Sequence, residues 1–467
     1  MKKISFIKTL NSVEEFEREP VPASKLKGVK SFIGMYAGEH TAGTEFVIGP
    51  LFVAHGAGAK DLLLGLLIGN FLAVLSWAFI CAPIATKRRL TLYYLLEKIA
   101  GKGVTNIYNV VNGIMFCFLA GSMIAVSATA VGIPFNLNMP SLNDWLPNNF
   151  GWVFAVFMIG AVTTIVAMFG YNQVSKFANI AAPWMILVFI AAAIAVLPNL
   201  GITRITDFWE VAKTKIWTGI PLEGQSKFTV WHIIFFAWFC NMAMHIGMAD
   251  LSIFRYAKKW KYGFSSATGM YVGHYIAWVA SGILYSLFLI ESNNSIEFAP
   301  GPIAYRAAGI AGAVCVIIAG WTTANPTIYR AGLALQSIMP KMKTWKVTMV
   351  VGSITTLAAC FPALVMKLLE FVALYGLLLM PMGAIIVTDT YILPKLKLKS
   401  DFAETFNKSF NISAFLAWIL CLVICILINQ IFGMEVFFLG LPGWFIASFI
   451  YLTGSILIQL KLKTDKI

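Results

Sequence analysis

Two carboxylates and an imidazole stand in the middle of an apolar stretch: Glu39, His40 and Glu45 within SFIGMYAGEHTAGTEFVIGPLFVAHG, residues 31–56. About 20 apolar residues cross a bilayer, and an ionised side chain at the centre of such a helix costs about 2.5–3.5 kcal/mol even on insertion scales. A span that only anchors carries no such group. Gly38, Gly43 and the Gly49-Pro50 pair weaken the helix around the cluster, and non-helical backbone at membrane depth persists only against protein or a water-filled cavity. The stretch therefore reads as a broken helix lining a site. Three roles are open to Glu39, His40 and Glu45: an interior ion pair with Arg330, the one strongly basic residue well inside a span, proton coupling, or recognition of a cationic group on a substrate.

Two further stretches carry polar atoms into apolar surroundings. The run Ala319-Gly320-Trp321-Thr322-Thr323-Ala324-Asn325-Pro326-Thr327 offers hydroxyl oxygens, and Pro326 frees a backbone carbonyl; hard cations prefer such ligands. The alternative is that the threonines bond back to carbonyls one turn earlier and only bend the helix. The run Phe235-Phe236-Ala237-Trp238-Phe239-Cys240-Asn241-Met242-Ala243-Met244-His245 combines flat aromatic faces with an amide, a combination suited to a planar ring that has donor and acceptor edges. Against this, most such aromatics pack or face lipid, and His245 alone is an ordinary interior histidine. Asp250 precedes the basic run Arg255 to Lys261 and can pair near the interface. The chain has no HExxH motif and no tight cluster of metal ligands.

These residues must be positioned by membrane helices. Of 467 residues 59% are hydrophobic and 12% charged, with mean hydropathy +0.79, which excludes a soluble domain. Period-two alternation is absent, which excludes an outer-membrane barrel. The polar residues 1–30 are no cleavable signal. All seven cysteines lie in apolar runs and read as small hydrophobes. Twelve spans are predicted, near 31–56, 62–86, 104–133, 150–170, 177–197, 229–255, 264–291, 303–336, 345–366, 368–393, 412–432 and 438–460. With the N-terminus cytoplasmic, 27 of the 35 Lys and Arg residues fall on cytoplasmic segments, and six, Lys60, Arg204, Lys213, Lys215, Lys227 and Lys367, fall on external loops. This is the positive-inside pattern. The net charge of +14 needs no nucleic-acid partner.

The predicted organisation is a cytoplasmic tail (1–30), five spans (31–197), an external loop (198–228), five more spans (229–393), a cytoplasmic loop (394–411), two additional spans (412–460) and a second cytoplasmic tail (461–467). Two sets of five spans suggest inverted repeats, with the site at their interface.

The segment Pro20-Val21-Pro22-Ala23-Ser24-Lys25-Leu26-Lys27-Gly28-Val29 resembles the PVPxSxxKG lead-in of bacterial cytosine permeases, members of the nucleobase:cation symporter-1 family. Leu67-Ile68-Gly69-Asn70, Trp321-Thr322-Thr323 and Gly383-Ala384-Ile385-Ile386-Val387-Thr388-Asp389, similar to the family's GVIIAD segment, follow in the family's order. The resemblance covers roughly residues 18–395. It implies an all-α polytopic membrane protein of twelve helices in the leucine-transporter-type fold, with a five-plus-five inverted repeat and broken first and sixth helices. It also implies a secondary-active importer, not an enzyme, working by alternating access in the inner membrane, and the charge pattern above puts both termini in the cytoplasm.

By the same resemblance, sodium sits between the Gly38 and Thr41 carbonyls and Ala319, Thr322 and Thr323, and no other cofactor is required. The substrate falls beside Ala42, with Phe118 where the family has a stacking tryptophan, Ser122 one turn on, and Cys240 and Asn241 in the sixth span. Ala324 takes the place of the family's base-binding asparagine, and Asn325 stands next to it. The expected substrate is a nucleobase-like heterocycle such as cytosine, a purine or a related pyrimidine. These departures, together with Glu39, His40 and Glu45, leave a proton-coupled importer of a cationic or larger heterocycle, such as a thiamine-precursor pyrimidine, as an alternative. An embedded enzyme or receptor built on the acidic cluster is a third reading. The expected partners are the small-molecule heterocycle and the lipid bilayer, with no obligatory protein partner.

Overall fold

The computed structural model describes residues 2–135, 140, 144–147, 149–291, 299–364 and 367–464. Among them the secondary structure is helical apart from two isolated bridges, Lys27 with Ala257 and Gly58 with Thr218. Nine helices among the described residues are long and apolar enough to cross a membrane. The other three predicted spans differ in form. Span 345–366 is the 16-residue helix Thr344–Ala359 followed by a short turn, and its residues 365 and 366 lie outside the described residues, as do 465–467 of the second tail. Spans 31–56 and 229–255 are each interrupted.

The first interruption separates Lys30–Glu39 from Glu45–Ala54 and leaves residues 40–44 outside any helix. The second separates Val230–Phe239 from the short turns Met242–His245 and Leu251–Phe254. Met248 there takes a left-handed φ of 68°, a costly conformation for a side chain with Cβ. Both breaks fall where polar residues crowd the sequence, so the backbone is irregular only where protein surrounds it.

Two long helices form the wall beside the breaks. Leu92–Val131 turns at Gly101 (φ 82°), where an added Cβ would lie 2.5 Å from the Ser409 carbonyl oxygen. Pro300–Ile338 changes direction at Ala308 and Gly309. The two helices lie against each other, and Ser127 of the first donates to the Ile317 carbonyl of the second at 3.0 Å.

The segments that the charge count assigns to one side are tied to each other. Arg18 pairs with Glu97 at 2.6 Å, Arg88 with Asp401, and Lys98 with Glu404. The first tail is more than a polar lead-in: Lys2–Asn11 is helical, and Glu15, 4% exposed, pairs with Arg255 at 3.4 Å while accepting from Tyr256 at 2.8 Å and Tyr329 at 2.6 Å. On the opposite side Leu222 and Phe228 donate backbone N–H groups to the carbonyls of Ala54 and His55, both at 2.8 Å.

Candidate functional site

Glu39 ends the first half-helix and Arg330 lies inside Pro300–Ile338, and the fold brings them together. Arg330 Nη1 donates to Glu39 Oε1 at 2.5 Å and Nη2 to Oε2 at 3.1 Å, while Nη2 also reaches Asp250 Oδ1 at 2.7 Å. Asp250 Oδ2 accepts from the Tyr36 hydroxyl at 2.6 Å and from Trp77 Nε1 at 2.7 Å. All three charged groups are buried. Of the three roles left open for the acidic cluster, ion pairing therefore falls to Glu39 alone. Asp250 pairs inward with Arg330, and not with the basic run that follows it.

Glu45 opens the second half-helix, about one and a half helical turns of chain beyond Glu39, and has a different environment. It accepts from Thr44 Oγ1 at 2.8 Å and from Trp278 Nε1, and its Oε1 stands 3.7 Å from His274 Nε2. His274 is stacked on Trp278 with ring centroids 4.3 Å apart, and it meets His40 edge-on at 4.8 Å. Close backbone approach makes this possible. A Cβ on Gly273 would lie 2.3 Å from the His40 carbonyl oxygen, and one on Gly269 would lie 2.7 Å from His40 Nδ1. Spaced four apart, the two glycines put a bare helix face against the break.

A cavity of ≈ 60 Å³ lies where the two breaks meet the Pro300–Ile338 helix. That volume holds a few ordered waters. Glu39, His40, Thr44 and Glu45 line it from the first break, Cys240, Asn241 and Met244 from the second, Thr323 and Thr327 from the long helix, and Leu119, His274 and Tyr375 from elsewhere. Asn241 Nδ2 is 3.5 Å from His274 Nε2.

The residues named from the sequence divide in two. Cys240, Asn241, Glu39, His40 and Glu45 line the cavity. Ser122 points elsewhere and donates to the carbonyls of Phe118 and Leu364 at 3.0 and 3.1 Å; its neighbour Leu119, not Phe118, lines the cavity. Ala42 is buried beside the break, and its carbonyl accepts from the Glu45 N–H at 3.2 Å. Asn325 is buried without a partner for either amide atom. It lies two turns before Gly332, which packs on Thr348, so it shares that face and not the face of Thr323 and Arg330.

Of the five residues assigned to sodium, Ala319, Thr322 and Thr323 lie within about a turn of the long helix, and Gly38 and Thr41 flank Glu39 at the first break. Thr322 Oγ1 donates to the Ala319 carbonyl at 2.9 Å, and Thr323 Oγ1 reaches the carbonyls of Ala319 at 3.3 Å and Glu39 at 3.2 Å, bridging the long helix to the first break. Thr41 Oγ1 donates back to Ala37 at 2.7 Å. Gly38, Thr41, Ala319 and Thr322 are buried. The Thr323 hydroxyl and the Glu39 carbonyl bring oxygen atoms of two segments together, and hard cations prefer oxygen ligands. Among the described residues no group of three His, Cys, Asp or Glu side chains is placed to hold a metal ion.

No family model matches the sequence, and a search of characterised proteins by sequence returns no match. The structure does have counterparts. It superposes on Mhp1, a nucleobase-cation-symport-1 family transporter in a closed conformation with bromovinylhydantoin bound, with TM-score 0.73 at 14% identity, over 96% of this chain and 97% of that one. The chain has that transporter's fold. A Na+-coupled sialic acid symporter in a substrate-bound outward-open state matches with TM-score 0.68 at 12% identity, over 97% of this chain and 96% of that one. The Eremococcus coleocola manganese transporter matches less well, with TM-score 0.56 at 12% identity, over 96% and 98%. The all-helical, leucine-transporter-type architecture with interrupted first and sixth spans thus stands as the sequence implied.

His274, Tyr36 and Trp77 were missed in the sequence. His274 is one of five histidines in the chain and lies in an apolar span; an ionisable group at that depth is itself a signal. Tyr36 and Trp77, which hold Asp250, carried no such signal, because buried aromatics are common in any membrane helix.

Proposed function

We propose that the chain is a secondary-active importer of a small, flat nitrogen heterocycle of nucleobase type, driven by a cation gradient. We assign it to the nucleobase:cation symporter-1 family on the lead-in at residues 20–29 together with the fold shared with a member of that family. One observation carries the reading: a buried polar cavity lies where the two interrupted spans meet the long eighth helix, in a fold whose relative binds a hydantoin. The amide of Asn241 and the hydroxyls of Thr323 and Thr327 provide donors and acceptors for ring edges, and Tyr375 and His274 provide flat faces.

Sodium is the coupling ion in this reading, held by the Gly38 and Thr41 carbonyls, Ala319, Thr322 and Thr323. The donor set supports it, as does the use of Na+ by the sialic acid symporter of the same fold. An ion there ties the first break to the eighth helix, so ion and substrate each raise the other's affinity. The cavity is too small for a ring as it stands, so the substrate enters when the halves part, as alternating access requires. With Lys and Arg concentrated on one face, both termini lie in the cytoplasm and the protein sits in the inner membrane. A second reading, proton coupling, is favoured by Glu45, a cavity carboxylate that no arginine or lysine pairs with among the described residues.

The test is thermal unfolding of the purified protein with nucleobases, hydantoins and pyrimidine precursors, each with and without sodium. A ligand at 100 times its Kd stabilises the folded state by about 2.7 kcal/mol. A stabilisation by one ring class that grows with sodium supports the proposal. No stabilisation by any ring overturns it.

A further inference from the structure

The cavity and the groups behind it contain three carboxylates, Glu39, Glu45 and Asp250, and one guanidinium, Arg330. Arg330 is shared by Glu39 and Asp250, and Asp250 takes two further bonds from Tyr36 and Trp77. Among the described residues Glu45 receives hydrogen bonds from the neutral donors Thr44 and Trp278, with His274 Nε2 at 3.7 Å. His274 does not supply a charge in this arrangement. Its Nε2 faces the Asn241 amide at 3.5 Å and Glu45 Oε1 at 3.7 Å, while its Nδ1 has no partner among the described residues, so a doubly protonated ring would bury an N–H with no acceptor. An ionised carboxylate left this way in a buried site is costly without a positive partner.

From this charge balance we infer that Glu45 is the counter-charge for a positively charged nitrogen on the transported ring, so that the substrate is a small monovalent heteroaromatic cation. The inference rests on the heterocycle reading above and narrows its substrate class. The balance closes: three acids are met by Arg330, by the coupling cation beside Thr323 and by the ligand. The surroundings of Glu45 suit such a group. His274, with Trp278 stacked behind it at 4.3 Å, and Tyr375 line the cavity, and a ring cation gains from an aromatic face as well as from the carboxylate. The bond from Trp278 Nε1 and the bond from Thr44 fix the carboxylate's direction before the ligand arrives. Neither supplies a charge that would compete with the ligand.

The experiment uses the purified full chain and two probes of the same shape, neutral 4-aminopyrimidine and permanently cationic 4-amino-1-methylpyrimidinium, titrated by calorimetry in sodium at pH 7.5. Truncating one partner of a buried charge pair costs about 2 kcal/mol or more, a factor of about thirty in affinity. The wild type is expected to bind the cation at least about thirty-fold more tightly than the neutral ring. Glu45→Gln should lose that factor for the cation and change the neutral ring's affinity by less than about three-fold. Glu45→Asp, which keeps the charge, should retain a preference for the cation. The wild-type comparison stands even if the Gln variant does not fold. Equal or tighter binding of the neutral ring by the wild type, or full cation affinity in Glu45→Gln, overturns the inference and leaves the heterocycle reading intact. A wild type that binds neither probe, and no nucleobase or hydantoin, overturns both.

Discussion

Replacing Arg330 with Met removes a side chain of zero exposure that makes three charge-assisted hydrogen bonds, at 2.5 and 3.1 Å to Glu39 and 2.7 Å to Asp250. Methionine fills much of the volume but leaves two carboxylates without their cation. Breaking a buried ion pair by deleting one partner costs about 3–5 kcal/mol, and here the deleted partner serves two acids. Glu39→Gln is milder, because Arg330 keeps Asp250 and the amide still accepts a hydrogen bond. The two changes are also coupled. In the double variant Asp250 retains Tyr36 and Trp77 and no longer faces a second carboxylate, so the combined loss should fall short of the sum by about 1–3 kcal/mol. The assay is denaturant unfolding in detergent, followed by tryptophan fluorescence, for both single variants and the double. If Arg330→Met is no less stable than Glu39→Gln, or if the losses add, the three groups do not form one charged unit and the balance drawn around Glu45 loses its basis.

Three further outcomes follow from named contacts. Thr323→Ala removes the hydroxyl that bridges the Ala319 and Glu39 carbonyls at 3.3 and 3.2 Å; uptake should need about ten-fold more sodium for half-saturation, with surface expression nearly unchanged, and equal loss of both would make the residue purely structural. Gly273→Ala puts a Cβ 2.3 Å from a backbone oxygen of His40, which has no flexible end to yield, so about 1–3 kcal/mol of stability should be lost together with ligand binding; wild-type stability would mean that the helix does not press on the break. Glu15→Ala deletes the acceptor shared by Arg255, Tyr256 and Tyr329, and a cysteine placed at Leu10, 1% exposed, should become reactive to thiol reagents only in that background. Unchanged protection of the cysteine would show that Glu15 does not hold the tail down.

The broken first span was legible because its signals agree: Glu39, His40 and Glu45 at membrane depth, with Gly38 and Gly43 beside them. Cys240 and Asn241, at the second break, were named from the family resemblance, not from such agreement of local signals. Arg330 was legible as a residue in need of a partner, but not the choice between Glu39 and Glu45. Those acids lie six positions apart on a chain that stops being helical between them, so periodicity no longer relates their directions. Ser122 and Asn325 illustrate a different limit. A one-turn error of register or a rotation of the helix moves a side chain from the cavity to a neighbouring helix, and only the packed structure shows that Ser122 meets Leu364 and that Asn325 shares the face of Gly332. The Glu15 lock was invisible, because a carboxylate in a polar tail reads as solvated until three distant groups close on it.

Gradient-driven uptake by the purified protein in liposomes tests the central claim most directly. Radiolabelled heterocycles, neutral and cationic, would be presented under an inward sodium gradient, under an inward proton gradient, and under neither. The account predicts accumulation of one ring class above equilibrium with sodium alone, abolished when sodium is equal on both sides. Accumulation that follows the proton gradient and ignores sodium would contradict the threonine ion site, and the absence of any accumulation would contradict transport of heterocycles altogether.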